Sequence, residues 1–146
     1  MKLLVICGPT ATGKTQLAVN LARKFNGEII SADSRQVYRR MDIATGKDLS
    51  VYGEAPVHML DIIDPTQPYS VAQYTVEANK VVTDIIARGK FPILVGGTGL
   101  YIKAVIDGIQ TSSTPSGKVC FAPLYTGEGC ISYSMSPPPH APNNAS

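Results

Sequence analysis

The chain has 146 residues, 44% of them hydrophobic and 16% charged, with a formal net charge of +2, a balance that suits one α/β domain and excludes a disordered or fibrous chain. So small a charge gives no bulk electrostatic argument for nucleic acid, only a local basic patch around Arg35, Arg39, Arg40 and Lys47. Cys7, Cys120 and Cys130 have neither the even number of a disulfide framework nor zinc spacing, and no apolar run suits a signal peptide or a membrane span, so a cytoplasmic protein is expected.

Residues 3–7 form a continuous apolar run, the pattern of a strand buried on both faces of a parallel sheet. The run leads into Gly8-Pro9-Thr10-Ala11-Thr12-Gly13-Lys14-Thr15, a full match to the P-loop pattern GxxxxGK[ST]. Its position between a predicted strand and a predicted helix is the context that the motif needs. Glycines let backbone N–H groups close around phosphate oxygens, and the helix N-terminus adds its positive end. Lys14 is expected to reach the outer phosphates and Thr15 to hold Mg²⁺. Leu17, Ala18, Leu21, Ala22 and Phe25 then recur at helical spacing, with Arg23 and Lys24 in the last turn and Asn26-Gly27 as the stop.

A second strand is predicted over 28–32. It delivers Asp33-Ser34-Arg35-Gln36 to the carboxyl end of the sheet, where open α/β sheets keep their ligands. From its residue type and place Asp33 is either a general base or metal ligand, or a turn residue. Residues 37–56 show weak periodicity and receive no firm assignment. A further strand is expected over 57–63, where His58 has no neighbouring histidine or cysteine and reads as structural. Asp64-Pro65 and Gln67-Pro68 make a turn before Ser70, which pairs with Gln73 as a capping box for an amphipathic helix over 71–86 that stops at Arg88-Gly89.

The last regular elements are a buried strand over 91–95, a tight loop Gly96-Gly97-Thr98-Gly99, and a short helix over 100–107 closed by Gly108. Thr98 belongs to an ordinary glycine loop or places its hydroxyl at the ligand edge. A strand ending in Gly96-Gly97 rather than in aspartate argues against motor-type nucleotide hydrolysis. The alternation of elements predicts an α/β fold, a P-loop NTPase-like parallel sheet with helices on both faces. Residues 1–109 are expected to form the P-loop domain. Residues 110–146 hold six of the eleven prolines and only Lys118 and Glu128 as charges, and are expected to be an unrelated, disordered tail.

Four blocks in order carry a resemblance: the P-loop 8–15, the stretch 30–38 with Met41-Asp42-Ile43, the turn around Asp61-Ile62 and Asp64-Pro65 with Tyr69-Ser70, and Leu94-Val95-Gly96-Gly97-Thr98-Gly99-Leu100-Tyr101. Together they resemble the tRNA dimethylallyltransferases, also called tRNA isopentenyltransferases, from the start of the chain to about residue 109. The resemblance implies transfer of a dimethylallyl group from dimethylallyl diphosphate to N6 of the adenine next to the anticodon of tRNA. It makes Asp33 the base that takes the amine proton, Thr98 the hydroxyl that places the amine, and Asp33, Ser34, Arg35, Gln36 and Thr98 the contacts to the tRNA anticodon stem-loop.

Gly8, Pro9, Thr10, Ala11, Thr12, Gly13, Lys14 and Thr15 would hold the donor's diphosphate with Mg²⁺, so the loop does not require ATP, although motif-based reading would assign it. A monomer is expected. Family members are longer, so the resemblance implies a sheet incomplete at its C-terminal end and a chain that is the N-terminal part of a catalytic domain. A P-loop small-molecule kinase and a non-catalytic fragment retaining a phosphate site are the alternatives. Preference for ATP over the prenyl donor separates the first of these.

Overall fold

Residues 2–9, 11–39, 49–109, 118–123 and 131–134 are described by the computed structural model. The first strand, β1 (Lys2–Cys7), enters the helix α1 (Lys14–Phe25) through the glycine loop. β2 (Gly27–Ser31) follows, then a 3-10 turn (Leu49–Tyr52), the two-residue strand β3 (Val57–His58) and the long helix α2 (Val71–Ala87). β4 (Phe91–Gly96), α3 (Gly99–Ile109), β5 (Lys118–Pro123) and β6 (Ile131–Ser134) complete the order.

The strands form one sheet in the order β3-β2-β4-β1-β5-β6, parallel except for β6. β4 lies between β1 and β2, with Leu4 opposite Ile93 and Ile29 opposite the same residue from the other side. Alternate residues therefore share a face. Leu4, Ile6, Ile29, Ile93 and Val95 pack under Ala18, Val19 and Ala22 of α1. Leu3, Val5, Ile30 and Leu94 pack under Tyr74, Ala78, Val82 and Ile85 of α2 and Tyr101, Ile102 and Val105 of α3. Burial on both faces explains why the inner strands read as unbroken apolar runs. Each fully buried Ile, Leu or Val among them contributes about 1.5–3 kcal/mol of transfer free energy.

The helix ends follow from local chemistry. Asn26 takes a left-handed φ of 51° and its N–H bonds the Ala22 carbonyl, closing α1. Ser70 and Gln73 form a complete capping box at α2: the Ser70 side chain accepts from the Gln73 N–H at 3.2 Å, and the Gln73 side chain accepts from the Ser70 N–H at 2.9 Å.

Three expectations differ from the structure. The strand expected over 57–63 ends at His58, because Met59 and Asp61 adopt φ of 65° and 52° and turn the chain; only Ile63 returns, bridging Tyr38. α3 continues through Gly108 to Ile109, since a glycine can stay in a helix when nothing stops it. Within the segment read as a disordered tail, Lys118–Pro123 lies parallel to β1 and Ile131–Ser134 antiparallel to it in turn. The physical reason is the edge of β1 away from β4: its N–H and C=O groups need partners, and a backbone ladder supplies them whatever the side-chain periodicity.

Candidate active site

The register that sets Cys7 opposite Gly96 brings the two glycine loops side by side at the carboxyl edge of the sheet. A Cβ on Gly97 would lie 3.5 Å from the Gly8 carbonyl oxygen. In the first loop Gly13 has φ 79° and Ala11 φ 62°, left-handed backbone that turns the chain into α1. Thr12 Oγ1 donates to the Pro9 carbonyl at 2.8 Å. Lys14 folds back over the loop, its ammonium bonded to the Pro9 carbonyl and 3.4 Å from Thr12 Oγ1. Desolvation lowers the Lys14 pKa, and the charges of Asp33 and Cys7 partly oppose that shift. Thr10 lies outside the described residues.

Asp33 follows β2 directly. One of its carboxylate oxygens accepts the Arg35 N–H at 2.9 Å and its carbonyl accepts the Gln36 N–H at 3.2 Å. The turn reading and the site reading of Asp33 are therefore compatible: a carboxylate anchored by an Asx turn is a carboxylate held in place. Its negative charge reaches Lys14, Tyr52 and Tyr101. Gln36 accepts a bond from the Ser31 hydroxyl at 3.2 Å, and Arg35 points to solvent. Arg39 donates its Nε to the Asp61 carbonyl at 2.9 Å, whereas Arg40 and Lys47 of the proposed basic patch lie outside the described residues.

Thr98 meets this segment from β4. Its N–H bonds the Ala32 carbonyl at 3.2 Å, and its hydroxyl oxygen accepts the Ser34 N–H at 3.1 Å. The approach is so close that a Cβ on Gly96 would stand 2.2 Å from the Ala32 carbonyl oxygen, so only glycine fits there. Asp33, Ser34 and Thr98 are thus assembled beside the P-loop, with Lys14 close enough to feel the Asp33 charge.

The weakly periodic stretch hid Tyr52. It is buried against α1; burial raises its pKa, the Thr15 side chain opposes this, and the Asp33 charge adds to the rise. Nothing in the 37–56 pattern distinguishes it from a loop tyrosine. His58 proves structural: its Nε2 lies 2.7 Å from Glu28, whose carboxylate also accepts from both terminal guanidinium nitrogens of Arg88.

For the expected magnesium ion, no group of three or more His, Cys, Asp or Glu side chains among the described residues could hold a metal. Mg²⁺ characteristically takes one or two protein oxygens and completes its shell with phosphate and water. The Thr15 hydroxyl, on the first turn of the P-loop helix with the Asp33 charge nearby, fits that manner of binding. Among the described residues no helix is long and apolar enough to cross a membrane.

Comparison with known proteins places this geometry. A family model described as IPP transferase matches residues 36–122, and one described as isopentenyl transferase matches residues 1–52. The first runs past the point where an unrelated tail is expected and takes in most of β5. The chain is 54% identical over 113 residues to tRNA dimethylallyltransferase 1 of Geotalea daltonii and 55% identical over 103 residues to tRNA dimethylallyltransferase of Treponema pallidum, covering 77% and 70% of this chain. It spans 37% and 33% of those two relatives, about a third of their length.

Among solved structures it is similar to the tRNA isopentenylpyrophosphate transferase of Bacillus halodurans, at a TM-score of 0.72 and 47% identity, over 79% of this chain and 38% of that one. It is also similar to a eukaryotic dimethylallyltransferase acting on tRNA, at a TM-score of 0.68 and 41% identity, over 70% of this chain and 26% of that one. The fold is accordingly the P-loop NTPase-like α/β fold of those transferases. With more than half of its length matched and both glycine loops set on one sheet edge, the chain belongs to the IPP transferase family.

Proposed function

We propose that this chain carries the donor cradle and the reacting pair of a tRNA dimethylallyltransferase. The observation that supports it most is the assembly of Asp33 and Thr98 on neighbouring strand ends beside the P-loop. In the reaction, the bond between the allylic C1 of dimethylallyl diphosphate and its bridging oxygen breaks, and a bond from the adenine N6 to C1 forms. The diphosphate leaves with the electron pair, and the N6 proton passes to the Asp33 carboxylate.

Each residue has a task suited to its place. Asp33, held by its Asx turn, takes the proton of an exocyclic amine that is too weak a nucleophile unaided. Thr98 orients that amine through its hydroxyl. The backbone N–H groups of Ala11, Thr12 and Gly13 and the Lys14 ammonium stabilise the charge that accumulates on the departing diphosphate. Mg²⁺, held by Thr15 when bound, supplies further positive charge to the same oxygens. Arg35, exposed beside the site, faces the RNA backbone, and Ser34 and Gln36 line the path of a base turned out of its stack. The reaction is cytoplasmic and the protein acts as a monomer.

Prenyl transfer to an anticodon stem-loop RNA tests this reading. Transfer by the unmodified chain and its loss in Asp33→Ala are expected. Undiminished transfer in that variant removes the base. Calorimetry with dimethylallyl diphosphate and with ATP tests the donor: stronger binding of ATP would favour a small-molecule kinase instead, and donor binding without transfer would leave a phosphate-binding portion.

A further inference from the structure

The carbonyls of β2 face alternate neighbours. Ala32 faces β4, donating its N–H to Val95 and accepting from Thr98. Ile29 faces β3, taking the Pro56 carbonyl, and the alternation of a strand puts the Ser31 carbonyl on that same side. β3 ends at His58, however, and positive φ at Met59 turns the chain away before a partner for Ser31 is reached. The Tyr74 hydroxyl occupies the gap, donating to the Ser31 carbonyl at 2.7 Å in a fully buried position. The ring of Tyr74 stacks on Tyr101 of α3, with centroids 4.1 Å apart and planes 23° from parallel. Burial and the neighbouring phenols Tyr69 and Tyr101 hold the Tyr74 hydroxyl protonated, as a donor must be.

We infer that Tyr74 is a positioning residue: its hydroxyl and ring clamp the end of β2, which carries Asp33, to the helix that follows the Thr98 loop. The hydroxyl acts two residues before Asp33, the ring acts three residues after Thr98, and one side chain spans both. The remainder of the α2 stripe provides packing area alone. Tyr74 stands apart because it also supplies the hydrogen bond that a short β3 leaves unmade. The inference depends on the proposed function only in naming Asp33 and Thr98 as the groups to be positioned.

Native-state amide hydrogen exchange on the full chain tests it in Tyr74→Phe, which keeps the ring and removes the hydroxyl. The N–H groups of Ser34 and Thr98 should exchange about tenfold faster than in the unmodified chain, while those of α1 and β1 keep their protection. Unchanged exchange at Ser34 and Thr98, or an equal rise across α1 and β1, overturns the clamp, because a merely structural tyrosine lowers protection everywhere. Should Tyr74→Phe not fold, Tyr101→Leu removes the stack while keeping the hydroxyl and is read in the same way. Absence of prenyl transfer in the unmodified chain would count against the proposed function and leave the exchange result standing.

Discussion

The Thr98 hydroxyl accepts the Ser34 backbone N–H at 3.1 Å, joining two segments 64 residues apart in the chain. One side chain therefore fixes the distance between the end of β2 and the loop after β4. Thr98→Val keeps the shape and removes the acceptor. It should cost about 1 kcal/mol in urea unfolding and reduce prenyl transfer, whereas Thr98→Ser should retain most of both.

Gly96 is the tightest point of the same junction. A methyl group there would overlap the Ala32 carbonyl, and neither backbone can retreat without breaking the β2–β4 ladder. Gly96→Ala should destabilise the protein by about 3 kcal/mol or prevent folding, read from the thermal midpoint. A change of less than about 1 kcal/mol would mean that the strand ends separate easily.

Lys14 gives a binding prediction. Lys14→Ala should weaken dimethylallyl diphosphate binding by about a hundredfold in calorimetry, since the Lys14 ammonium sits over the loop. Desolvation lowers its pKa, and the attraction depends on the protonated form. Donor affinity should therefore fall as pH rises through the lowered Lys14 pKa, earlier than an exposed lysine would allow.

Asp33→Asn separates binding from chemistry. The amide keeps an oxygen for the Arg35 N–H but takes no proton, so donor affinity should hold while prenyl transfer falls by roughly 10²–10⁴-fold. Equal loss of both would assign Asp33 to the turn alone.

Glu28 sets an acid limit far from the site. Its hydrogen bonds from Arg88 hold its pKa at about 2, against an ordinary value of 4.5, with His58 assisting. The stability it contributes is fully present above pH 4.5 and is lost as pH falls through about 2. Glu28→Gln should cost about 2 kcal/mol at neutral pH, and the gap from the unmodified protein should close across that acid window in denaturant titrations.

By itself the sequence determined the inner strands, the P-loop, both long helices and the capping box, because these depend on local periodicity and on side chains bonding within a few residues. The place of residues 8–15 and Asp33 at the carboxyl edge of the sheet was legible for the same reason: a strand followed by glycines or by Asp-Ser points to one end of a sheet. Only the tertiary structure decided that Asp33 is at once a turn anchor and a neighbour of Lys14, that Thr98 reaches Ser34, and that Tyr52 is buried against α1. The approach of Asp33 to Lys14 and of Thr98 to Ser34 needs β4 inserted between β1 and β2, and strand order leaves no trace in periodicity. The Tyr74 hydroxyl was hidden among packing residues, and its use became apparent only where β3 ends early. The strands at 118–123 and 131–134 were missed because a backbone ladder on the edge of β1 depends on an available partner rather than on apolar alternation.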